Sequence, residues 1–135
     1  MSSRFTLGLA LTLAVGILST ASAVAEDSIP RLVYLISEGD RLIASNIQFS
    51  RFDALRLQAK EKIEQQKVAK AVIVVVTNQR IIGYSVYQSA WRVVPRDAGE
   101  TVVSVDAEDY SASVITSDRM LNFNGRSGAW VEMKR

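Results

Sequence analysis

The chain has 135 residues, and its 16 lysines and arginines against 14 acidic residues leave a formal net charge of only +2. These charges are interspersed along the chain, so the sequence shows no basic patch for nucleic acid or for an anionic membrane. There is no histidine and no cysteine, which excludes disulfides, Ser-His-Asp and Cys-His nucleophiles and zinc sites of the usual nitrogen and sulfur type.

The N-terminal segment, residues 1–25, has the three-part layout of a secretory signal peptide. Arg4 supplies a positive charge, Phe5–Leu18 is uncharged and apolar, and Ser19–Ala25 is rich in small residues with two Ala-x-Ala sites. We expect cleavage before Glu26, export to the periplasm or the extracellular space, and no membrane attachment afterwards. The alternative is an uncleaved membrane anchor, since about 20 apolar residues suffice to span a bilayer. Residues 26–135 are then expected to form a single β-repeat domain.

The mature chain begins with a strand-rich segment. Leu32–Ile36 is a continuous apolar run of strand length, and Ser37–Asp40 supplies turn residues. We expect a second strand at Arg41–Ile47 and a third within Gln48–Leu57, around Phe52.

The next segment carries two conflicting signals. Residues 54–70 are almost all good helix formers without glycine or proline, and Leu55, Ala59 and Ile63 fall on one helical face with Asp53 as a cap. The repeat described below instead favours a strand here. We expect a helix at about 54–70.

The rest of the chain is rich in strand signals. Ala71–Val76 is so rich in β-branched residues that a strand is expected there. Further strands are expected in two series, each interrupted by turn residues. They lie at 80–87, 89–94 and 100–105, and then at 111–115, 119–124 and 129–133.

A fixed period, equal to the spacing from Arg80 to Arg119, organises the chain. Between residues 72–96 and 111–135, six of 25 positions are identical without a gap. Arg41, Phe52 and Glu61 continue the period backwards from Arg80, Trp91 and Glu100. A period of about 40 residues indicates one supersecondary unit used repeatedly. We therefore expect a mainly β protein of antiparallel meanders in three units, at about 32–70, 71–109 and 110–135.

The stretch TSDRMLNFNGRSGAWVEM at residues 116–133 resembles a β-propeller blade, in which a strand, a glycine-containing turn and a tryptophan-bearing strand follow one another. A unit of about 40 residues with three or four antiparallel strands is also the size of such a blade. The resemblance implies a fold and no activity, because propellers carry unrelated functions.

The repeated positions are the candidate site. One interpretation is structural. Each tryptophan is then a buried anchor of its unit, and each arginine stacks on an aromatic ring or pairs with the acid of the next strand, for which Glu61 and Glu100 are candidates. We favour this interpretation because every unit must solve the same packing problem. The other is a repeated site for a sugar or a peptide. The residues concerned are Arg80, Tyr84, Trp91, Arg119, Phe123 and Trp130.

Little else in the sequence suggests chemistry. Two groups of acids, Glu38 with Asp40 and Asp106 with Glu108 and Asp109, are expected in solvated turns and lack the spacing of a calcium loop. A Ser-Lys nucleophile is disfavoured because the lysines fall on the expected helix or the tail. We therefore expect no enzyme activity, no cofactor and no metal.

The sequence thus predicts an exported, non-enzymatic binding or assembly module of the cell envelope or extracellular space, with a protein or glycan ligand and no nucleic acid. The alternative is an envelope structural protein that only associates with itself. Because three units leave open sheet edges and the third ends at Arg135 without a fourth strand, we expect a homodimer of six units. A monomer whose helix covers the open edge is the alternative.

Overall fold

The strand signals of the sequence give eleven strands and no helix in residues 30–135, the part of the chain that this computed structural model describes. The fold is mainly β and antiparallel, as the sequence predicts. The strands are β1 (Val33–Glu38), β2 (Arg41–Asn46), β3 (Arg51–Arg56), β4 (Ile63–Val68), β5 (Val72–Thr77), β6 (Arg80–Ser85), β7 (Ala90–Pro95), β8 (Val102–Glu108), β9 (Ser111–Thr116), β10 (Arg119–Asn124) and β11 (Ala129–Lys134).

Residues 31–135 form one compact unit. The expected signal peptide at residues 1–25 and its cleavage site lie outside the described residues and stay predictions. Residues 30–135 form no helix with the length and apolar character that crossing a membrane requires.

The strands pair into three separate meanders. Sheet A has the order β1-β2-β3, sheet B the order β4-β5-β6-β7 and sheet C the order β8-β9-β10-β11. Tyr84 lies opposite Trp91 in sheet B, and Phe123 lies opposite Trp130 in sheet C. The same register therefore recurs one period later, so the sequence repeat is a repeat of strand pairing.

Sheet B lies between the other two, and its central strands β5 and β6 are buried on both faces. All six residues of β5 are buried, whereas β9 alternates between buried and less buried positions. This explains the unbroken β-branched run at Ala71–Val76, because a strand covered on both faces needs no polar alternation. The core towards sheet A comprises Val33, Leu42, Ala44, Ala71, Ile73, Val75, Ile82, Tyr84 and Val86. The core towards sheet C comprises Val72, Val74, Val76, Ile81, Val105, Ala112, Val114, Leu121 and Phe123.

The predicted helix at 54–70 is wrong. Residues 51–56 form β3 against β2, and residues 63–68 form β4 against β5. Between them Lys60 adopts a φ of 63°, a left-handed conformation that interrupts a right-handed helix. Leu55, Leu57 and Ile63 pack against the core between sheets A and B. Their burial and the ladder hydrogen bonds outweigh helix propensities that differ by a few tenths of a kcal/mol per residue.

The sheets do not coincide with the units of the sequence. Strand β4, which falls in the first unit, pairs in sheet B, and β8, which falls in the second, pairs in sheet C. As expected, residues 110–135 contribute three strands, β9 to β11, but β8 from the second unit gives sheet C its fourth strand. Sheet A is the one with three strands, and its β1 edge has no partner strand within residues 30–135. No helix in that range covers an edge, so the monomer alternative loses its covering element.

The turn before the last strand of each sheet repeats as well. Ser50, Ser89 and Gly128 lie one period apart, and their φ angles are 53°, 51° and 73°. Glycine adopts this left-handed conformation without strain, whereas serine adopts it at a cost. The turn geometry is therefore a property of the repeat, and only the third copy carries the residue that suits it.

Candidate functional site

The first repeated feature is an ion pair between the connection that leads from sheet B into sheet C and the β9–β10 hairpin of sheet C. Arg119 Nε donates to Glu100 Oε2 at 2.8 Å, and Nη2 donates to Oε1 at 2.9 Å. Nη2 also donates to the carbonyl of Pro95, the last residue of β7, at 2.8 Å. Thr116 Oγ1 adds a third donor to the same carboxylate at 2.5 Å. The pair therefore holds the connection against β9 and β10.

The electrostatics of this pair are those of a fixed structural contact. The Arg119 guanidinium lowers the pKa of Glu100 from 4.5 to about 2, against burial, which raises it. The carboxylate in turn raises the pKa of Arg119. Both side chains are almost fully buried. A carboxylate with such a pKa stays ionised at neutral pH, so it is poorly suited to proton transfer there.

The same arrangement occurs one period earlier. Arg80 Nε and Nη2 donate to the carboxylate of Glu61 at 2.9 and 2.7 Å, and Nη2 donates to the carbonyl of Arg56 at 3.2 Å. Thr77 Oγ1 donates to Glu61 at 2.6 Å. Burial raises the pKa of Glu61, but its bonds to Arg80, the backbone of Gln58 and Thr77 lower it overall. In sheet A, Arg41 instead pairs with the exposed Glu38 at 2.5 Å.

The second repeated feature is an aromatic pair in each of sheets B and C. The rings of Tyr84 and Trp91 have centroids 5.0 Å apart, and those of Phe123 and Trp130 are 4.9 Å apart. Tyr84 is 0% and Phe123 1% exposed. Their rings therefore offer no surface to a ligand, while both tryptophans are half-buried.

Each aromatic pair packs its sheet against the preceding sheet in the chain. Trp91 Nε1 donates to the carbonyl of Asp53 in sheet A at 3.0 Å, and Trp130 Nε1 donates to that of Arg92 in sheet B at 3.1 Å. The ring of Phe123 lies directly against Gly83, where a Cβ would come within 2.9 Å of Cδ1. We call these two contact regions, A on B and B on C, the internal joints.

Polar groups complete the internal joints. Asn46 Nδ2 in sheet A donates to the hydroxyl of Tyr84 and the carbonyl of Val86, both at 3.0 Å. At the same repeat position Ser85 Oγ donates to the carbonyl of Gly125 in sheet C. Tyr84 also donates to Asp53 Oδ2 at 2.6 Å. Burial, with this carboxylate, raises the pKa of Tyr84 to about 12, so the joint keeps a neutral hydroxyl over the whole physiological range.

The outer face of sheet C holds a cavity of about 650 Å³. In sheet B, the residues at the same repeat positions pack against sheet C. Val72, Val74 and Gly83 of sheet B correspond to Ser111, Ser113 and Asn122 of sheet C. The face has thus exchanged apolar positions for polar ones. The cavity lining that we use below comprises Asp106, Ser111, Ser113, Asn122, Asn124 and Val131.

The outer face of sheet A has kept its apolar character. Tyr34 is 48%, Ile36 42% and Phe52 70% exposed. One period later the corresponding residues, Ile73, Val75 and Trp91, face sheet A and are buried or half-buried. We call the outward-facing set, comprising the exposed Tyr34, Ile36 and Phe52 and the partly buried Ile43 and Ser45, the sheet A surface.

The acids considered as calcium ligands are not gathered into a metal site. Glu38 and Asp40 pair with Arg41 and Arg56 in exposed ion pairs, and Asp106 and Glu108 line the cavity. Among the described residues, the carboxylate oxygens that lie within 4.8 Å of one another are those of Asp97, Glu100 and Asp118. Arg119 already supplies a positive charge to that cluster.

The sequence patterns indicated the arginines, the aromatic residues and the acids Glu61 and Glu100, but not Gly83 and Asn46, which contact the aromatic residues. Gly83 and Asn46 are not identical between copies, so the comparison of repeats did not mark them. One signal was available: Asn46 and Asn124 lie two periods apart. Both accept backbone N–H groups of the following turn through Oδ1, from Phe49 and from Arg126.

No protein-family model and no curated protein matches the chain. Among solved structures it is similar to the N-terminal domain of Nup159, with 16% identity, 79% of this chain and 31% of that chain covered, and a TM-score of 0.39. It is also similar to a chain in the structure of S. cerevisiae dbp5 bound to nup159, gle1, ip6 and adp, with 15% identity, 78% of this chain and 30% of that chain covered, and a TM-score of 0.40. The chain thus spans about a third of the length of the solved structures it matches. The three sheets and their repeat define the fold.

Proposed function

We propose that this chain is an exported, non-enzymatic binding or assembly module of the cell envelope or extracellular space, built from propeller-like blades. The proposal rests on the two ends of the stack, because each end exposes a face whose equivalents in the other sheets are buried in an internal joint. Sheet A presents an apolar face with Phe52 70% exposed, and sheet C presents a cavity of about 650 Å³. Exposed apolar surface of this kind typically marks an interaction site.

The blade interpretation is supported by the order of the strands. Sheets B and C are four-stranded meanders in which each strand pairs with its neighbour in sequence. They stack face to face, and their first strands, β4 and β8, contact each other. A repeat that buries its faces only by stacking on neighbours makes an assembly element, because each end of the stack presents half of an interface.

The proposal that the chain is not an enzyme is supported by the titratable groups of the ion pairs and of the first internal joint. Glu61 and Glu100 have lowered pKa values because arginines bond to them, and the pKa of Tyr84 is raised to about 12. These shifts move the groups away from neutral pH, where a general acid or base works best. Each shift has a structural partner that accounts for it.

The second candidate is an envelope structural protein that associates only with itself. The observation in its favour is that the two exposed faces are the opposite faces of one repeat, the two that meet in each internal joint, so each suits the other. The binding module, with a protein or glycan ligand, remains the main form of the proposal. Which molecules touch the sheet A surface in cells separates the two.

Photo-crosslinking in intact cells tests the proposal. A benzoylphenylalanine at position 52 should form adducts with neighbouring molecules, and the same group at Gln66, on exposed strand β4, serves as the control. Adducts with other envelope proteins favour the binding module, and adducts with the chain alone favour the structural protein. The lack of any adduct at position 52 would contradict both candidates.

N-terminal sequencing of the exported protein tests the cleavage of the signal peptide. The sequence should begin at Glu26, and a start at residue 1 or 2 contradicts cleavage.

A further inference from the structure

We propose that the sheet C cavity receives the sheet A surface of a second copy of this chain, so that two copies form a closed ring of six sheets. The inference rests on the proposed assembly role and names its partner. The two internal joints are one arrangement used twice, one period apart. When the same arrangement is repeated once more, sheet A of another copy packs on sheet C of the first copy.

The sizes of the facing residues support this third joint. In the first internal joint Ala44 lies in the same buried cluster as the large Tyr84, and in the second Gly83 lies against Phe123. At the equivalent positions of the third joint, Asn122 of sheet C faces Ser45 of the second copy. The larger residue of the pair is now Asn122, and the two side chains together are smaller than either internal pair, so they meet without overpacking the joint.

The polar groups of sheet C fit the same partner. Asn46 Nδ2 donates to the carbonyl of Val86 across the first joint. Asn124 holds the equivalent position, its Oδ1 accepts from Arg126 N at 2.8 Å, and its Nδ2 donates to no group within residues 30–135. In the third joint the equivalent acceptor is the carbonyl of Ile47 of the second copy. A surface that continues the internal joints should offer such an unused donor.

The backbone at the start of sheet C gives an independent indication. Leu32 N donates to the carbonyl of Lys70, and Ala71 N donates to that of Asp109, both across the internal joints. Tyr110 N is the next member of this series, and it donates to no carbonyl within residues 30–135. In the third joint its acceptor is the carbonyl of Arg31 of the second copy.

Phe52 is the anchor of the third joint. It stands where Trp91 and Trp130 stand, and Trp130 lies against Arg92. The residue equivalent to Arg92 in sheet C is Val131, which lines the cavity and is 63% exposed. Phe52 and Val131 are thus two exposed apolar side chains that meet in this arrangement. Because phenylalanine has no ring N–H, this joint lacks the indole hydrogen bond of the other two.

Two copies suffice for closure. The stack of one chain has three sheets, and two chains give six, within the four to eight blades with which propellers close. The ring then has two identical joints related by two-fold symmetry, each formed by sheet C of one copy and sheet A of the other. Closure leaves no exposed end to recruit further copies, so the assembly stops at two.

The test uses charge exchange at the two anchors. The single variants Phe52→Lys and Val131→Glu are each purified in the form in which the protein accumulates in cells. The molar mass of each is measured by light scattering at micromolar concentration. The parent should have twice the mass of one chain. Each variant alone should have the mass of one chain, because both of its joints place a charge against an apolar residue.

Mixing the two variants in equal amounts should restore the double mass. The mixed pair has one unaltered joint and one joint in which lysine faces glutamate. Phe49→Lys, at a 49% exposed position in the β2–β3 turn, is the matched control and should keep the double mass. Circular dichroism of each variant verifies that the sheets remain folded.

Three results overturn the inference. A parent with the mass of one chain shows that there is no third joint. Dissociation by Phe52→Lys but not by Val131→Glu shows that sheet A pairs with itself. Two dissociating variants that fail to recombine show that the anchors do not face each other. Any of these leaves the proposed function standing if position 52 forms adducts with other envelope proteins in cells.

Discussion

The ring of Phe123 lies directly against Gly83, so sheet C rests on the backbone of sheet B where a side chain would stand. A Cβ on Gly83 would come within 2.9 to 3.0 Å of three ring carbons. The glycine is needed here for close approach, which its missing side chain allows. The first internal joint has Ala44 at the equivalent position, so the approach of the two sheets differs between the joints.

Gly83→Ala should lower the free energy of unfolding by about 1–3 kcal/mol, because the added methyl group overpacks the joint. Urea unfolding measures this loss. The double variant Gly83→Ala with Phe123→Leu should lose less than the sum of the two single losses, since the smaller side chain makes room for the methyl group. Additive losses would show that the ring and the glycine are not in contact.

Trp130→Ala should destabilise the protein more than Arg126→Ala does. Trp130 packs against Phe123 and bonds to sheet B, so its loss should cost about 3 kcal/mol. Arg126 lies in an exposed turn and stacks on Tyr110 at 4.3 Å, a contact that contributes about 0.5–1 kcal/mol. Thermal unfolding compares the two variants. Equal melting temperatures would show that Trp130 does not anchor its sheet.

Arg119→Lys and Arg80→Lys should both cost stability, because lysine keeps the charge but loses the planar fork that bonds to the carboxylate and the carbonyl. We expect about 1–3 kcal/mol for each, with the larger loss at the more buried Arg119. Arg92→Lys, at an exposed position of β7, is the matched control. If both variants melt like the parent, the arginines are surface features and the ligand-site interpretation of the repeat gains support.

Acid should weaken the fold between about pH 5 and pH 2 through Glu100. Its pKa is lowered to about 2 in the folded protein from an ordinary 4.5. The unfolded chain therefore takes up the proton first as the pH falls, and the stabilisation, present above pH 4.5, is lost towards pH 2. The loss should be roughly 3 kcal/mol, since one pKa unit corresponds to about 1.4 kcal/mol.

Glu100→Gln should flatten this part of the pH profile of unfolding. Glu61 acts in the same direction, because its pKa is also lowered in the folded protein. Some acid sensitivity should therefore remain in Glu100→Gln. An unchanged profile in that variant would contradict the assigned role of the ion pair.

The sequence by itself determined the period and the strands that carry it. Thr77, Arg80 and Trp91 recur one period later because each unit needs the same ion pair and the same aromatic seat on the preceding sheet. The period also marked Glu61 and Glu100 as candidate partners of the arginines, each expected on the strand after its arginine. Arg80 pairs instead with Glu61, which precedes it in the chain, at 2.7 Å. Patterns of this kind are visible in a sequence because they depend on residue type at fixed spacing.

Only the tertiary structure determined the secondary structure of residues 54–70. Their composition favours a helix, and the strand β4 forms because β5, an apolar strand buried on both faces, offers it an edge with which to pair. Strand β4 then belongs to sheet B, although it follows sheet A in the sequence. Pairing partners of this kind are set by distant residues, and local propensity is too weak to reveal them.

The tertiary structure also decided which faces of the repeat are covered. Phe52 and Trp91 occupy one repeat position, yet Phe52 is 70% exposed and Trp91 is half-buried against sheet A. The sequence shows that the two positions correspond, but not that one of them lies at the end of a stack. Exposure depends on what packs alongside, and the order of the sheets in space fixes that.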